Sequence, residues 1–324
     1  MAKKIIIYNI NDYFGGPLVL SALCKTFRDL GYDARVLFTY ALQHEPGAEW
    51  GCPEYVIKHL IKAWISHYIH KICKKFPMWR SYLLRKTPLS TMPGIKIQYN
   101  PFFNRNNTIV IYPEFLYGNP LRAKYVVRWL LFHYKFENTP GAYDKNDLFA
   151  CYRQIFNNSN LNPLGIELHV SYFDNQLYRQ YNFGPRSGKC YILRKGRDRK
   201  DLPKHFDGPV YDNDMTQEEL VKMFNEHEYC YSYDTQTFYT TIAMVCGCKS
   251  VVVLEPGKTA DDYLGEGEKA HYGIAYGDTP EQIEYAEKTR DLKLKALDYT
   301  ERNEKSVRDF IPVLEQKFGE IKKI

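Results

Sequence analysis

The sequence predicts an α/β protein of two domains, in which strands and helices alternate along the chain. Its 324 residues exceed the roughly 100–200 of one typical domain. A strand–helix–strand pattern opens the chain and resumes in its second half, and such units form parallel sheets with right-handed crossovers. Between the halves, residues 165–185 are rich in Gly, Pro and Asn. We therefore place an N-terminal domain at 1–175, a C-terminal domain at 176–305, and a last helix at 306–324 that would pack back on the first domain.

Composition and charge narrow the class of protein. Hydrophobic residues make up 44% and charged residues 25%, which is ordinary for a globular chain. The net charge of +6, from 44 basic and 38 acidic residues, is too modest to indicate nucleic-acid binding. The opening MAKKIIIYNI lacks the pattern of a signal peptide, and no apolar run reaches the roughly 18 residues of a spanning helix. We expect a cytoplasmic protein whose 8 cysteines are mostly buried thiols.

The first half reads as strands separated by helices. Buried strands are predicted where β-branched and other apolar residues run together, and helices where apolar residues recur at helical spacing. Pro17 suits the first position of the first helix. The predicted strands are 3–8, 34–40 and 108–114, and the predicted helices are the run that starts at Pro17 and residues 123–134.

The second half repeats this alternation. KCYILRKG (189–196) is a strand that ends in a basic turn, and EYCYSY is a strand that leads into the predicted helix DTQTFYTTIAMVC. Gly247 ends that helix and KSVVVLE follows as a strand. Thr216 and Glu219 form a capping box at the start of one further helix. Thr279 and Pro280 begin another, and about 30 residues at the end are helical.

Residues 55–76 carry apolar residues in pairs that recur every four positions, with lysines between them. From 55 to 86 the chain has eight Lys and Arg and no Asp or Glu. Two interpretations remain open. One is a helix on an anionic membrane surface, and the other is a domain helix with a solvated basic face.

The segment YDTQT contains the first candidate site. Asp234 is placed to cap the predicted helix, a role that needs no ligand. A helix N-terminus also presents free N–H groups and a positive dipole to phosphate, and the hydroxyls of Thr235 and Thr237 could add donors. A carboxylate there would contact sugar hydroxyls, because it repels phosphate.

The segment LRKGRDRK (193–200) places cations at the end of a predicted strand. Guanidinium groups bind phosphate oxygens in pairs, so this turn is a candidate diphosphate site; a solvated basic turn is the alternative. The candidate cations are Arg194, Lys195, Arg197 and Arg199.

These segments resemble the GT-B glycosyltransferases, and among them bacterial enzymes of surface-polysaccharide assembly. In the large retaining branch a strand ends in an Arg and a Lys-Gly that bind the donor diphosphate, and LRKG is similar to a compressed form of that turn. A later helix carries E-x7-E and ends like EAMACGTPVV, to which IAMVCGCKSVV is similar. Asp234 lies eight residues before Ile242, so the first acidic position is kept as Asp and the second is replaced.

The resemblance implies a GT-B fold, in which two Rossmann-like α/β/α domains face a central cleft. It implies that Asp234 lies near the donor sugar and that Arg194, Lys195, Gly196 and Arg197 approach the diphosphate. Ile242 departs from the motif, which leaves the ribose without its second carboxylate. No metal is expected, since cations and a helix dipole would take its place.

In the first domain the candidates lie on loops that follow strands, where ligands bind in open α/β sheets. Gly15 and Gly16 precede a helix but lack the G-x-G-x-x-G pattern of a dinucleotide site. They form either a tight turn or a loop near the donor phosphates or the acceptor. Glu114 ends a strand and is a candidate either for the catalytic base of an inverting transferase or for a ligand of the acceptor. Asp12 and His133 are weaker candidates.

Three further patterns favour ordinary structure over metal binding. DND (212–214) fits a metal-binding D-x-D motif but lies in a loop before a capping box. His67, His70 and Cys73 recur on the basic helix as surface residues. Cys246 and Cys248 have no second pair at metal spacing, so we expect no metal there either.

The sequence predicts a metal-independent glycosyltransferase that uses a nucleotide-sugar donor and a saccharide acceptor, which we expect to be linked to a lipid. Two alternatives stay open. One is a non-catalytic nucleotide- or glycan-binding protein with a degenerate transferase fold. The other is a different nucleotide-sugar enzyme, an epimerase or dehydrogenase, against which the missing glycine fingerprint argues.

Overall fold

The chain forms two compact units. The structure is a computed structural model, and contacts divide it into unit 1, Met1–Tyr172 with Tyr299–Ile324, and unit 2, Phe173–Asp298. The sequence placed these boundaries at 175 and 305. Asp12 and His133 lie outside the described residues. Those residues are 2–11, 15–40, 53–75, 92–116, 118–132, 142–263 and 271–324.

Unit 1 is built on a parallel sheet of five strands in the order β2-β1-β3-β4-β5. The chain therefore runs outward from β1 in one direction and from β3 in the other, which makes the gap between these two strands a topological switch point. The strands are β1 Lys4–Asn11, β2 Ala34–Tyr40, β3 Thr108–Pro113, β4 Tyr125–Leu130 and β5 Leu148–Cys151, and the first helices are α1 Gly15–Asp29 and α2 Pro53–Lys75.

The predicted helix at 123–134 is wrong, because this run contains the strand β4. Its side chains from Val126 to Leu130 are buried on both faces of the sheet, so the run lacks the alternation of apolar and polar residues that distinguishes a strand from a helix. Arg128, in the middle of the run, is only 1% exposed, and its charge is compensated by an ion pair with Asp147 at 2.8 Å. The β-branched and aromatic residues of the run favour the extended form.

The last helix, α6 Thr300–Phe318, belongs to unit 1. It packs against α1. Val307, Phe310 and Leu314 at its buried face are at most 1% exposed and belong to the same core cluster as β1 and β3. Asn303 fixes its first turn through hydrogen bonds to both the N–H and the carbonyl of Ser171.

α2 packs against β2. Val56 and Leu60 are 0% and 1% exposed and belong to the core cluster of Ile6 and Tyr8. Residues 76–86 of the basic segment lie outside the described residues. Within the described part of the chain, no helix is long and apolar enough to cross a membrane.

Unit 2 has the same architecture. Its five parallel strands lie in the order β10-β9-β8-β6-β7, which is the order of unit 1 when the strands are renumbered from β6. The switch point lies between β6 and β8. The elements are β6 Lys189–Ile192, β7 Val210–Tyr211, α3 Gln217–Glu226, β8 Tyr229–Ser232, α4 Tyr239–Val245, β9 Lys249–Val252, β10 Ala275–Tyr276 and α5 Pro280–Ala296.

Two predicted helix starts in unit 2 are confirmed. Thr216 and Glu219 exchange both bonds of a capping box at the start of α3. Thr279 caps α5 and Pro280 is its first residue. The predicted α/β class, with two Rossmann-like units on parallel sheets, is therefore confirmed.

Candidate functional site

The candidate site lies at the switch point of unit 2, where the turns that follow β6 and β8 meet. In open α/β sheets, ligands bind beyond the carboxyl ends of the strands at this place. Residues 194–197 follow β6, and residues 233–237 follow β8. β6 and β8 are hydrogen-bonded neighbours, with Ile192 paired to Ser232, so the two turns leave the sheet side by side.

Gly196 lets these two turns touch. A Cβ at this position would lie 2.2 Å from the carbonyl oxygen of Tyr233 and 3.0 Å from the amide nitrogen of Asp234. Real side chains never approach backbone this closely, so only glycine fits. The glycine of LRKG therefore has a steric reason: it brings the cationic turn against the backbone that carries Asp234.

Asp234 is buried with one oxygen that has no hydrogen-bond partner. The residue is 2% exposed. Its Oδ1 accepts a long bond of 3.4 Å from the N–H of Gln236, whereas Oδ2 accepts none. The Arg194 Nη1 lies 3.6 Å from Oδ2, which is an ion pair but too long for a hydrogen bond. A desolvated carboxylate oxygen without a donor costs folding free energy, and such groups are typical of functional sites.

Arg194 is held by three neighbours besides Asp234. Its Nε donates to Asn213 Oδ1 at 2.7 Å, and its Nη1 donates to Thr237 Oγ1 at 3.0 Å. Its guanidinium lies over the ring of Tyr239, 4.7 Å from the centroid. The backbone of Arg194 has φ 42°, a left-handed conformation that non-glycine residues rarely adopt. The arginine is thus fixed in place at some cost in backbone strain.

The DND loop supports this arginine turn. Asn213 accepts from Arg194, and Asp212 Oδ1 accepts from Arg197 Nη2 at 2.8 Å. The sequence singled out this loop only as a metal pattern and missed its contact with LRKG. Its position after β7, which pairs with β6, was the signal that could have placed it there.

The cations of LRKGRDRK differ in what they contact. Lys195 is exposed and, among the described residues, forms no ion pair. Arg197 is paired with Asp212, as above. Arg199 donates to the carbonyls of Val253 and Leu254, at 2.7 and 2.9 Å, and pairs with Asp201. Its side chain is only 9% exposed, so Arg199 fixes the end of β9, and its role as a diphosphate ligand stays a prediction.

The predicted start of the helix is wrong. α4 begins at Tyr239 and has seven residues, with Phe238 as an N-cap that makes no side-chain bond. Asp234 is therefore not a helix cap, and no helix N-terminus lies at Thr235. Residues 234–238 form a turn instead, in which Thr237 Oγ1 accepts from the N–H of Tyr239. A helix period read from the sequence does not show where the first turn begins.

Ile242 faces the core of unit 2. It is 3% exposed and lies in the cluster of Ile192 and Phe224. A carboxylate at this position of α4 would be buried among apolar side chains. The second acidic position of the resembled motif thus has no counterpart at the surface here.

In unit 1 the candidates lie at its own switch point. Gly15 and Gly16 are the first two residues of α1, after β1, and Glu114 directly follows β3. Among the described residues, a Cβ at Gly15 would meet nothing within 4 Å, and one at Gly16 only Leu131 at 3.9 Å. No described neighbour therefore requires a glycine at either position. The Glu114 Oε2 accepts from the N–H of Leu131 at 3.0 Å, so this carboxylate joins the ends of β3 and β4.

Arg128 fixes the segment that follows Glu114. It donates to the carbonyls of Leu116, at 2.8 Å, and Gly118, while its Nε bonds Asp147. Burial raises the pKa of Asp147 above its usual value, and the adjacent guanidinium opposes that rise. The pair is nearly inaccessible to solvent, so its role is to stabilise the fold.

Several solved structures are similar to this chain. One is described as the glycotransferase of kitacinnamycin; the similarity covers 98% of this chain and 100% of that one, with a TM-score of 0.40 and 8% identity. At that level the likeness carries neither residue roles nor a substrate to this chain. No protein-family profile and no curated protein matches the sequence.

The histidine and cysteine patterns that the sequence raised as metal sites do not form a cluster among the described residues. The ring of His67 stacks on Tyr99 at 3.5 Å, and the side chains of His70 and Cys73 lie outside the described residues. Cys246 and Cys248 are buried free thiols, and burial raises the pKa of Cys246 to about 12. Among the described residues, no group of three or more His, Cys, Asp or Glu side chains has the geometry of a metal site.

Proposed function

We propose that the protein is a glycosyltransferase that moves a sugar from a nucleotide-sugar donor to a saccharide acceptor. One observation carries this proposal: at the switch point of unit 2, a cationic turn touches a buried carboxylate that has an unpartnered oxygen. Cations match the diphosphate of such a donor, and a carboxylate matches the hydroxyls of its sugar. Few other ligands carry a diphosphate and sugar hydroxyls close enough together to contact the cationic turn and the carboxylate at the same time.

Each group of the site has a role in binding the donor. Lys195, exposed and without an acidic partner among the described residues, contacts the diphosphate as a point charge. Arg194 lies between the phosphates and Asp234, and its fixed guanidinium needs no ordering when the ligand arrives. Asp234 Oδ2 accepts a sugar hydroxyl. Thr235 is half-buried on the same turn and contributes a hydroxyl.

The transfer step breaks one bond and forms another at the anomeric carbon. The oxygen of an acceptor hydroxyl attacks this carbon, the bond to the diphosphate oxygen breaks, and its electron pair leaves with the diphosphate. Lys195 and Arg194 stabilise the negative charge that develops there. In an inverting reaction a carboxylate takes the proton of the acceptor, for which Glu114 is the candidate. In a retaining reaction no such base is required, because the departing diphosphate oxygen takes the proton of the acceptor.

We assign the acceptor to unit 1 and propose that it is a saccharide carried on a lipid, as in capsule, lipopolysaccharide or other surface-glycan assembly. The support is the basic segment 55–86 in this unit, which suits the surface where such lipids reside. No described residue lies within 4 Å of a Cβ built at Gly15, at the start of α1 after β1. A lipid-linked acceptor would bring the protein to the inner face of a membrane.

Calorimetric titration with nucleoside diphosphates and their sugars tests the proposal. At least one should bind, and Asp234→Asn should weaken the sugar nucleotide about 10–100-fold, since a hydrogen bond to a charged group is lost. The amide keeps the acceptor for Gln236, so folding should be retained. Asp144→Asn is the control, because Asp144 Oδ1 accepts from the N–H two residues ahead in a similar turn of unit 1.

Three outcomes would change this assignment. Absence of binding by every nucleotide would contradict it. Binding without transfer or hydrolysis would leave a non-catalytic binding protein, and absorbance from bound NAD would indicate the dehydrogenase or epimerase class.

Chelation tests the expectation that no metal takes part. Activity should persist in EDTA, because Lys195 and Arg194 supply the positive charge. Complete loss that Mn²⁺ restores would instead assign the DND loop at 212–214 to metal binding.

A further inference from the structure

The apolar pairs of α2 divide between two faces of the helix. Val56 and Leu60 are buried in the core of unit 1. Ile57, Ile65 and Tyr68 are 37%, 48% and 49% exposed. Positions 57, 65 and 68 fall on one stripe of a helix, about a third of a turn from the buried stripe. The helix therefore carries apolar residues on two faces, and Val56 and Leu60 on one of them are buried in the core of unit 1.

One further aromatic residue extends the exposed stripe. Phe102, 60% exposed, packs edge-on against Trp64 with ring centroids 5.7 Å apart, and Trp64 packs edge-on against Tyr68 at 5.8 Å. We name the set Ile57, Ile65, Tyr68 and Phe102 the outer apolar face. Exposed apolar side chains are ordinary when scattered singly, but a contiguous group of them marks a contact surface.

Positive charge borders the outer apolar face. Lys58 and Lys62 are exposed on the same side of α2, and neither forms an ion pair with a described residue. From 55 to 86 the chain has eight basic residues and no acidic one. The surface thus combines apolar side chains with charge of a single sign.

We propose that the outer apolar face, with Lys58 and Lys62, binds the surface of an anionic lipid bilayer. Apolar side chains of this size reach the boundary between headgroups and acyl chains, while lysines at their border contact lipid phosphates. A bilayer offers uniform negative charge, which an unbroken basic segment matches. A second copy of the chain would bring the same lysines against each other and be repelled.

The contact leaves the fold intact. Val56 and Leu60 stay in the core, so α2 lies along the bilayer and presents only its other face. The inference needs no transferase activity, and vesicle binding can be measured without donor or acceptor. Failure of one proposal is therefore distinguishable from failure of the other.

Co-sedimentation with vesicles tests this inference. The full chain should pellet with phosphatidylglycerol–phosphatidylcholine vesicles and remain in solution with phosphatidylcholine alone. Rising salt should weaken the binding, because the charged part of the contact is screened. Ile65→Ser with Tyr68→Ser, and separately Lys58→Glu with Lys62→Glu, should each reduce the fraction bound by at least about tenfold. These positions are exposed, so thermal unfolding should be unchanged.

Matched controls come from exposed residues elsewhere. Leu164→Ser with Phe183→Ser removes two apolar side chains that are 83% and 80% exposed. Lys200→Glu with Lys204→Glu reverses two exposed lysines that are also four residues apart. Both pairs should bind vesicles like the unchanged protein.

Three results would overturn the inference. They are a protein that fails to pellet with anionic vesicles, one that pellets equally with neutral vesicles, and α2 variants that pellet as the controls do. Sedimentation velocity tests a fourth outcome. If the protein does not bind vesicles but forms a dimer that Ile65→Ser dissociates, the outer apolar face binds a second copy of the chain.

Discussion

Arg194 combines a strained backbone conformation with the positive charge of the candidate site. Its left-handed backbone is disfavoured for any side chain, yet its guanidinium contacts Asn213, Thr237 and Asp234. Strain of this kind persists only where neighbours enforce it, and it concentrates at binding sites. The side chain and the backbone of Arg194 therefore contribute to stability with opposite signs.

Two substitutions separate these contributions. The free energy of unfolding of Arg194→Gly should be about 1 kcal/mol higher than that of Arg194→Ala, because glycine adopts a φ of 42° without a penalty. Both variants should lose nucleotide affinity by more than about tenfold, since both lack the guanidinium. Urea denaturation and calorimetry measure the two effects. Equal stability of the two variants would show that the left-handed conformation is not held in solution.

His169 makes stability depend on pH. Burial, followed by Arg302 and Arg153, lowers its pKa to about 4 from an ordinary value near 6.5. Between these values the unfolded chain binds a proton that the folded chain does not. Stability should therefore be complete above about pH 6.5 and fall as the pH drops toward 4. For this half-buried ring the loss should be of order 1 kcal/mol after screening.

The measurement compares urea unfolding at pH 7 and pH 5. His169→Gln should show a smaller loss across this interval than the unchanged protein, while His205→Gln, at an exposed position, should lose as much as the unchanged protein. A His169→Gln variant with an unaltered slope would assign the pH dependence to other groups.

At the scale of elements, the site depends on how closely two turns approach. The turn after β6 touches the turn after β8 only because residue 196 has no side chain. Parallel neighbours with a fixed register bring these turns together, and the missing Cβ sets the final distance. The geometry of the site is thus a property of two elements, which no single segment specifies.

Gly196→Ala tests that dependence. Its Cβ would lie 2.2 Å from the Tyr233 carbonyl oxygen, so the backbone must move, at a cost of about 1–3 kcal/mol. The displaced turn should also weaken nucleotide binding, since Arg194 moves relative to Asp234. Hydrogen exchange should report faster opening of β6 and β8. Gly15→Ala, where a Cβ meets nothing within 4 Å, is the control, and a cost equal to that of Gly196→Ala would refute the argument.

At the scale of the whole molecule, the chain leaves unit 1 after Tyr172 and returns to it at Tyr299. The returning helix α6 supplies apolar side chains to the core under β1 and β3. The core of unit 1 therefore requires both the N-terminal part of the chain and the helix α6. The two units share one strand order although they share no evident sequence repeat.

Leu314→Ala tests the role of α6. This side chain is 0% exposed, and its truncation should lower the free energy of unfolding of unit 1 by about 2–5 kcal/mol. All four tryptophans lie at positions 50, 64, 79 and 129, so fluorescence reports on unit 1. Gln316→Ala, on the exposed side of the helix, should shift the fluorescence transition little. If Leu314→Ala does not shift the fluorescence transition, α6 does not contribute to the stability of this core.

Hydrophobic pattern and turn residues predicted most strands and the capped helices, because those signals are local. KKIIIY, TIVIYPE and KSVVVLE became strands, and Thr216 and Thr279 became caps. The prediction at 123–134 failed because a run that is buried on both faces has no period. The start of α4 failed because Asp234 bonds within a turn, which a sequence cannot distinguish from a cap.

By itself the sequence determined the α/β class, the alternation in both halves and the residues from which a site could be built. Only the tertiary structure decided which of these residues meet. It placed LRKG against Asp234, turned Arg199 toward carbonyls, buried Ile242 and divided the pairs of α2 between core and solvent. The physical reason is that strand order and register set contacts between segments some 40 residues apart, and no local pattern records them.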